Sequence, residues 1–113
     1  MQTHEAFKLL SGIQRLDPEM PLQQVMCLLV IAEAEDGLSL TDVAKKVGIS
    51  LTTASRYVSA LGKLNRHRTD GLKFIESHED PMERRKKIIR ITTKGKIALR
   101  SILGDGYADI QTR

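Results

Sequence analysis

Apolar positions recur at helical spacing through the first sixty residues, and the period then changes. Phe7, Leu9, Leu10, Ile13 and Leu16 form a first stripe. Pro18 ends it, because the proline ring disfavours helical geometry at Asp17. Pro21 suits the opening of a second helix, predicted to run to about Glu35. In it Leu22, Val25, Met26, Leu29 and Val30 repeat at i, i+3, i+4, and Cys27, Leu28, Ile31 and Ala32 fill the other faces. A helix apolar on nearly all sides is expected at the centre of the core.

Asp36-Gly37 breaks that helix, and Leu38-Ser39-Leu40 reads as a short extended link. A third helix is predicted over Asp42 to Val47, capped by Thr41 or Ser39, with Gly48 placed for a left-handed stop. Ser50 caps a fourth helix whose apolar face is Leu51, Ala54, Val58 and Leu61. From Leu72 the residues turn β-branched and aromatic: Leu72, Phe74 and Ile75, then Ile88, Ile89 and Ile91, predict two short strands. The polar run Ser77 to Arg84 reads as the turn between them. Thr92 caps a last helix bearing Ile97, Ala98, Leu99, Ile102 and Leu103. Gly104 and Gly106 interrupt it before Tyr107 and Ile110. With no repeat or linker, residues 1–113 are expected to form one mainly α domain with a small β-hairpin, in the order α-α-(β)-α-α-β-β-α.

Composition narrows the function. At 41% hydrophobic and 28% charged, the 113-residue chain has enough apolar material for a core. An aromatic content of 4% argues against a base-stacking surface for single strands. The lone Cys27 excludes an internal disulfide framework and a multi-cysteine zinc module. No apolar run approaches the ~18 residues of a membrane span, and Met1 to Lys8 lacks a secretory apolar region. A cytoplasmic protein without a membrane partner is therefore expected. Its charge is uneven. Residues 1–38 carry two basic and six acidic side chains, whereas residues 39–100 carry fifteen and six. A basic stretch inside a small protein is the footprint of a polyanion.

Residues 39–64 supply the parts of a helix-turn-helix. Ala44 is small enough for a second helix to approach, Ile49 plugs the corner, and Ser50 caps the longer helix. That helix offers Thr52, Thr53, Ser55, Arg56 and Ser59 on its polar face, residue types that reach base edges and phosphates in a major groove. In the hairpin that follows, Arg84, Arg85, Lys86 and Lys87 form a basic strip, and an arginine there can enter a narrow minor groove. The joint reading is a winged helix-turn-helix, with residues 39–95 as the DNA-binding lobe and 1–36 and 97–113 as helical flanks.

Residues from about Leu38 to Leu103 resemble the multiple-antibiotic-resistance repressor (MarR) family of winged-helix regulators. The resemblance lies in Leu40-Thr41-Asp42-Val43-Ala44-Lys45-Lys46-Val47-Gly48-Ile49-Ser50, in Thr53 to Leu61, and in Glu83 to Gly95. It implies that Thr53, Ser55 and Arg56 meet the major groove, that Arg85 is the minor-groove arginine, and that Glu83 braces it where the family usually has Asp. Asn65 to Asp70 lengthens the connection to the wing relative to the family. The family's long dimerising last helix is expected to be mostly missing.

Cys27 lies among apolar neighbours with no basic residue close in sequence, which favours a packing role over a redox sensor. His4, His67 and His78 are too scattered for a metal site, and no nucleophile or phosphate-loop motif occurs. No enzyme activity, metal or cofactor is expected. Three functions remain: a sequence-specific transcription regulator, most simply a dimeric repressor; a winged helix for replication, partition or DNA architecture; and a winged helix adapted to protein contacts. The expected partners are double-stranded DNA and a second copy of the chain, with an effector ligand unspecified. Phe7, Leu10, Ile13, Ile102, Leu103, Tyr107 and Ile110 are the candidates for the dimer contact.

Overall fold

The computed structural model describes residues 1–62 and 71–104, and within them every side chain but those of Arg84 and Arg85. The described elements are α1 (Thr3–Leu16), α2 (Leu22–Glu33), α3 (Leu40–Val47), α4 (Leu51–Leu61), β1 (Ile75–Asp80), β2 (Glu83–Ile91) and α5 (Thr93–Leu103). The element order matches the expectation. Tyr107, Ile110 and the Asn65–Asp70 connection lie outside the described residues.

The local signals explain most boundaries. Ser39, not Thr41, caps α3: its Oγ accepts from the Asp42 N–H at 3.1 Å, so the helix opens at Leu40, two residues before the expected start. Gly48 ends α3 in left-handed geometry at φ 83°. Helix α2 stops at Glu33 rather than Glu35, and it is less enclosed than its composition suggests. Gln24, Val25, Cys27, Leu28, Ile31 and Ala32 are buried, but Leu22 and Met26 remain exposed. In α4 Ala54 and Leu61 are fully buried, whereas Leu51, expected on the apolar face, is 52% exposed in the first turn, ahead of the packed part of the helix.

The hairpin departs most from the sequence reading. The strands are antiparallel and meet across only Pro81-Met82, so Ser77–Asp80 and Glu83, expected in the turn, are paired strand residues, and Arg84 lies in β2 where the register shifts. Backbone ladder bonds do not require apolar side chains, and an outer hairpin exposed to water carries no apolar alternation to reveal it. Leu72 and Phe74, expected in the first strand, precede it. Their N–H groups instead donate to the Ala60 and Leu61 carbonyls at the end of α4, at 3.0 and 2.8 Å.

The core is built on α2. Cys27, Leu28 and Ile31 pack with Val43, Leu61, Phe74, Ile75, Ile89 and Leu99, so every element from α2 onward contributes. The link at Leu38 exchanges two backbone bonds with Ile89, at 3.0 and 2.7 Å, and thereby joins the hairpin as a one-residue third strand. Beside it, a Cβ at Gly37 would overlap the Ile88 side chain, and Arg90 Nε donates to the Asp36 carbonyl at 3.3 Å. These contacts set the wing against the end of α2. Helix α1 packs on α5, where Ile102 lies against Gly12.

Candidate nucleic-acid interface

The turn Gly48-Ile49-Ser50 sets α4 across α3, with Ala44 buried at their approach. Ser50 Oγ accepts from the Thr53 N–H at 3.1 Å and donates to Thr53 Oγ1 at 2.9 Å. The Ser50 hydroxyl is therefore engaged in building the helix start, and Thr53, half-buried, holds it from the other side. Thr52, Ser55, Arg56 and Ser59 are exposed. The Arg56 guanidinium stands 5.8 Å from the centre of the Tyr57 ring, a cation–π distance that restrains its position at the surface.

Between α3, α4 and the hairpin runs an open groove of about 640 Å³. Ser55 and Ser59 of α4 line one wall, and Ser77, Lys86 and Lys87 of the hairpin the other. Thr41 and Asp42 close the α3 side. Hydroxyls and ammonium groups facing one another across an open channel suit the oxygens of a phosphate backbone. The pairing explains how Lys87 arrives there. Ile75 faces Ile91 and Ser77 faces Ile89, which fixes the inward face of the hairpin, and Lys87 follows on that face opposite Glu79.

Ser77, Thr41 and Asp42 were not among the candidate DNA-binding residues of the sequence. Ser77 lies in a run that reads as turn, and Thr41 and Asp42 lie at the predicted start of α3. Only the strand register brings Ser77 to the groove. Glu83 stands opposite Asp80 in the ladder and is exposed. The side chains of Arg84 and Arg85, and so the contact expected between Glu83 and Arg85, lie outside the described residues. Lys86 and Lys87 are exposed along the groove.

Outside the groove, Phe7 and Leu10 of α1 are 70% and 55% exposed, and Leu103 of α5 is also exposed. Ile13 and Ile102 sit differently. They turn inward and line a small apolar space with Leu28 and Leu99, filling the joint between α1, α2 and α5 within one chain. Cys27 is fully buried, and burial pushes its thiol up from 9.0 to about 11. Among the described residues no group of three or more His, Cys, Asp or Glu is close enough to hold a metal ion, and no helix is long and apolar enough to cross a membrane.

Comparison with known proteins agrees with this geometry. Residues 25–64, which span α2, α3 and α4, match the IclR helix-turn-helix domain, a different sequence family from the MarR regulators that the sequence resembles. No curated protein matches the chain in sequence. Solved structures match it along nearly all its length. RV1404 from Mycobacterium tuberculosis is 18% identical with a TM-score of 0.72, covering 95% of this chain and 67% of that one. The S. aureus MepR–DNA complex is 21% identical with a TM-score of 0.71, covering 96% and 78%. MarR is 26% identical with a TM-score of 0.64, covering 94% and 76%. The chain spans 59% of another neighbour, Streptococcus pneumoniae FabT in complex with DNA. Five helices and one antiparallel hairpin in this arrangement are the winged helix-turn-helix fold. The class so defined is that of winged helix-turn-helix proteins. In sequence, residues 25–64 are similar to the IclR helix-turn-helix domain, and in structure the neighbours include MarR.

Proposed function

We propose that this chain is a sequence-specific, double-stranded DNA-binding transcription regulator of MarR-like build, acting as a dimeric repressor at an inverted repeat. The observation that carries this reading is the groove in which Ser55 and Ser59 of α4 face Lys86 and Lys87 of the hairpin. A duplex whose major groove receives α4 would lay the adjoining phosphate strand in that channel and bring the hairpin to the next minor groove. Thr52 and Arg56, exposed on α4, are then the base-edge readers, with Ser55 and Ser59 on the flanking phosphates. Ser50 and Thr53 order the helix start, whose free N–H groups favour a phosphate. Glu83 and Arg85 form the wing contact in this proposal. Two relatives of this fold, MepR and FabT, were solved bound to DNA.

Dimerisation follows from surface area. A single module of this kind buries roughly 600–1,000 Å² on DNA, which gives weak binding alone. Phe7 and Leu10 on α1, with Leu103 on α5, offer an exposed apolar face away from the groove for a second copy. Repression is the simplest action for a DNA-binding unit that works by occlusion. The deciding experiment is selection of bound duplexes from a random pool at physiological salt, followed by titration of the enriched sequence. An inverted repeat with half-sites about 10 base pairs apart supports the proposal. Salt-sensitive binding without a motif replaces it with an architectural role, and no binding leaves a protein-contact domain.

A further inference from the structure

The turn joining β1 to β2 carries Pro81 and Met82, and Met82 is 93% exposed, more than any other large apolar side chain among the described residues. Turns favour Gly, Asn, Asp and Ser for their backbone chemistry, and methionine offers none of it. The backbone here is held by its neighbour: the Met82 N–H donates to Asp80 Oδ1 at 2.9 Å. The tip is thus shaped without help from the Met82 side chain, which touches almost nothing of its own chain. The strands behind it line the groove shared with α4 through Ser77, Lys86 and Lys87. The tip continues from these strands beyond Lys86. Lysines and arginines account for attraction to phosphates, but not for an apolar side chain at the leading point.

We propose that Met82, backed by Pro81, is an apolar wedge that enters the minor groove beside the α4 site and partly unstacks one base step. Minor-groove proteins insert side chains of this kind, methionine and proline among them, and kink the duplex as they do so. The unbranched, polarizable thioether adapts to a gap between bases. The wedge makes Met82 a specificity-determining residue, because pyrimidine–purine steps open at least cost and others resist. This inference rests on the DNA-binding reading above and adds a contact that charge and the recognition helix do not supply.

The test uses the full chain and the duplex enriched by selection, with 2-aminopurine placed in turn at the steps flanking the α4 site. Wild-type protein is expected to raise 2-aminopurine fluorescence at one flanking step. Met82→Ser is expected to abolish that rise and to weaken binding about tenfold, the scale of losing one buried apolar side chain. The salt slope stays at the wild-type value, since no charge is removed. Met82→Leu is expected to restore both signal and affinity. Thermal melting checks that each variant is folded, as an exposed tip residue predicts. If wild-type protein binds the duplex but Met82→Ser leaves fluorescence or affinity unchanged, the wedge is overturned while DNA binding stands. If wild-type protein selects and binds no duplex, the DNA-binding reading itself falls.

Discussion

Gly95 lies where the first turn of α5 passes the backbone of Phe74. A Cβ built there would overlap the Phe74 carbonyl oxygen and come within 2.7 Å of Ile91. Thr92 locks the same corner: its hydroxyl donates to the Lys73 carbonyl at 2.8 Å and accepts from the Gly95 N–H at 3.0 Å. Gly95→Ala is therefore expected to destabilise the fold by about 1–3 kcal/mol, the range for forced overpacking, read as a lower midpoint in urea unfolding with unchanged slope. Cys27 gives a prediction of opposite kind, in pH. Its folded thiol sits near 11 against 9.0 for the unfolded chain, so the folded state holds the proton more tightly between those values. Stability from this group is complete below about pH 9 and declines as pH rises toward 11, by at most about 2–3 kcal/mol. Cys27→Ala removes that slope from the pH profile of unfolding. The native thiol is also expected to resist a thiol reagent at pH 8 until the protein unfolds. A native thiol that reacted at once would contradict the burial described here.

At the scale of elements, the roles proposed for α4 and β2 on DNA differ, and two substitutions separate them. Arg56→Ala removes the proposed base-edge reader and is expected to lower the ratio of cognate to random affinity, at about 1–3 kcal/mol. Lys87→Ala removes a proposed phosphate contact and is expected to weaken all sequences alike and flatten the salt slope by about one unit. Equal loss on every sequence for Arg56→Ala would show that α4 is not the reading element. The helices were largely legible in the sequence because their stops and starts are local: Pro18 acts through its ring on Asp17, and Ser39, Gly48, Ser50 and Thr92 through cap bonds within a few residues. The wing was legible only at its buried root, where Ile75, Ile89 and Ile91 show apolar alternation. Toward the tip the pairing of Glu79 with Lys87 or Asp80 with Glu83 is a fact of the backbone, and polar residues give no sign of it. The candidate site divides the same way. The exposed side chains of α4 follow from helical spacing, whereas the place of Ser77 in the groove depends on the register of β1.

Across the whole molecule, the groove and the exposed apolar residues of α1 and α5 are separate sets of residues, so the proposed recognition and assembly can be altered separately. Phe7→Asp together with Leu10→Asp is expected to turn the proposed dimer into a monomer at tens of micromolar while leaving the monomer folded, since both positions are exposed. Affinity for a full inverted repeat would then fall toward that for a half-site. A wild-type monomer under those conditions would count against assembly through this face. One feature of the path of the chain bears on how the protein can be handled. Gly62 closes α4, and Lys73 N–H donates to its carbonyl at 2.9 Å, while Gly71 lies so close that a Cβ there would overlap the same oxygen. Residues 62 and 71 are thus neighbours held by bonds of their own. In chain-topology terms the two ends form a fixed gate. Lengthening the chain between them carries little closure cost, since doubling a loop adds only about 0.6 kcal/mol. A fluorophore-bearing or epitope insert between Gly62 and Gly71 would give a handle on the intact protein, with both of its anchoring residues left in place.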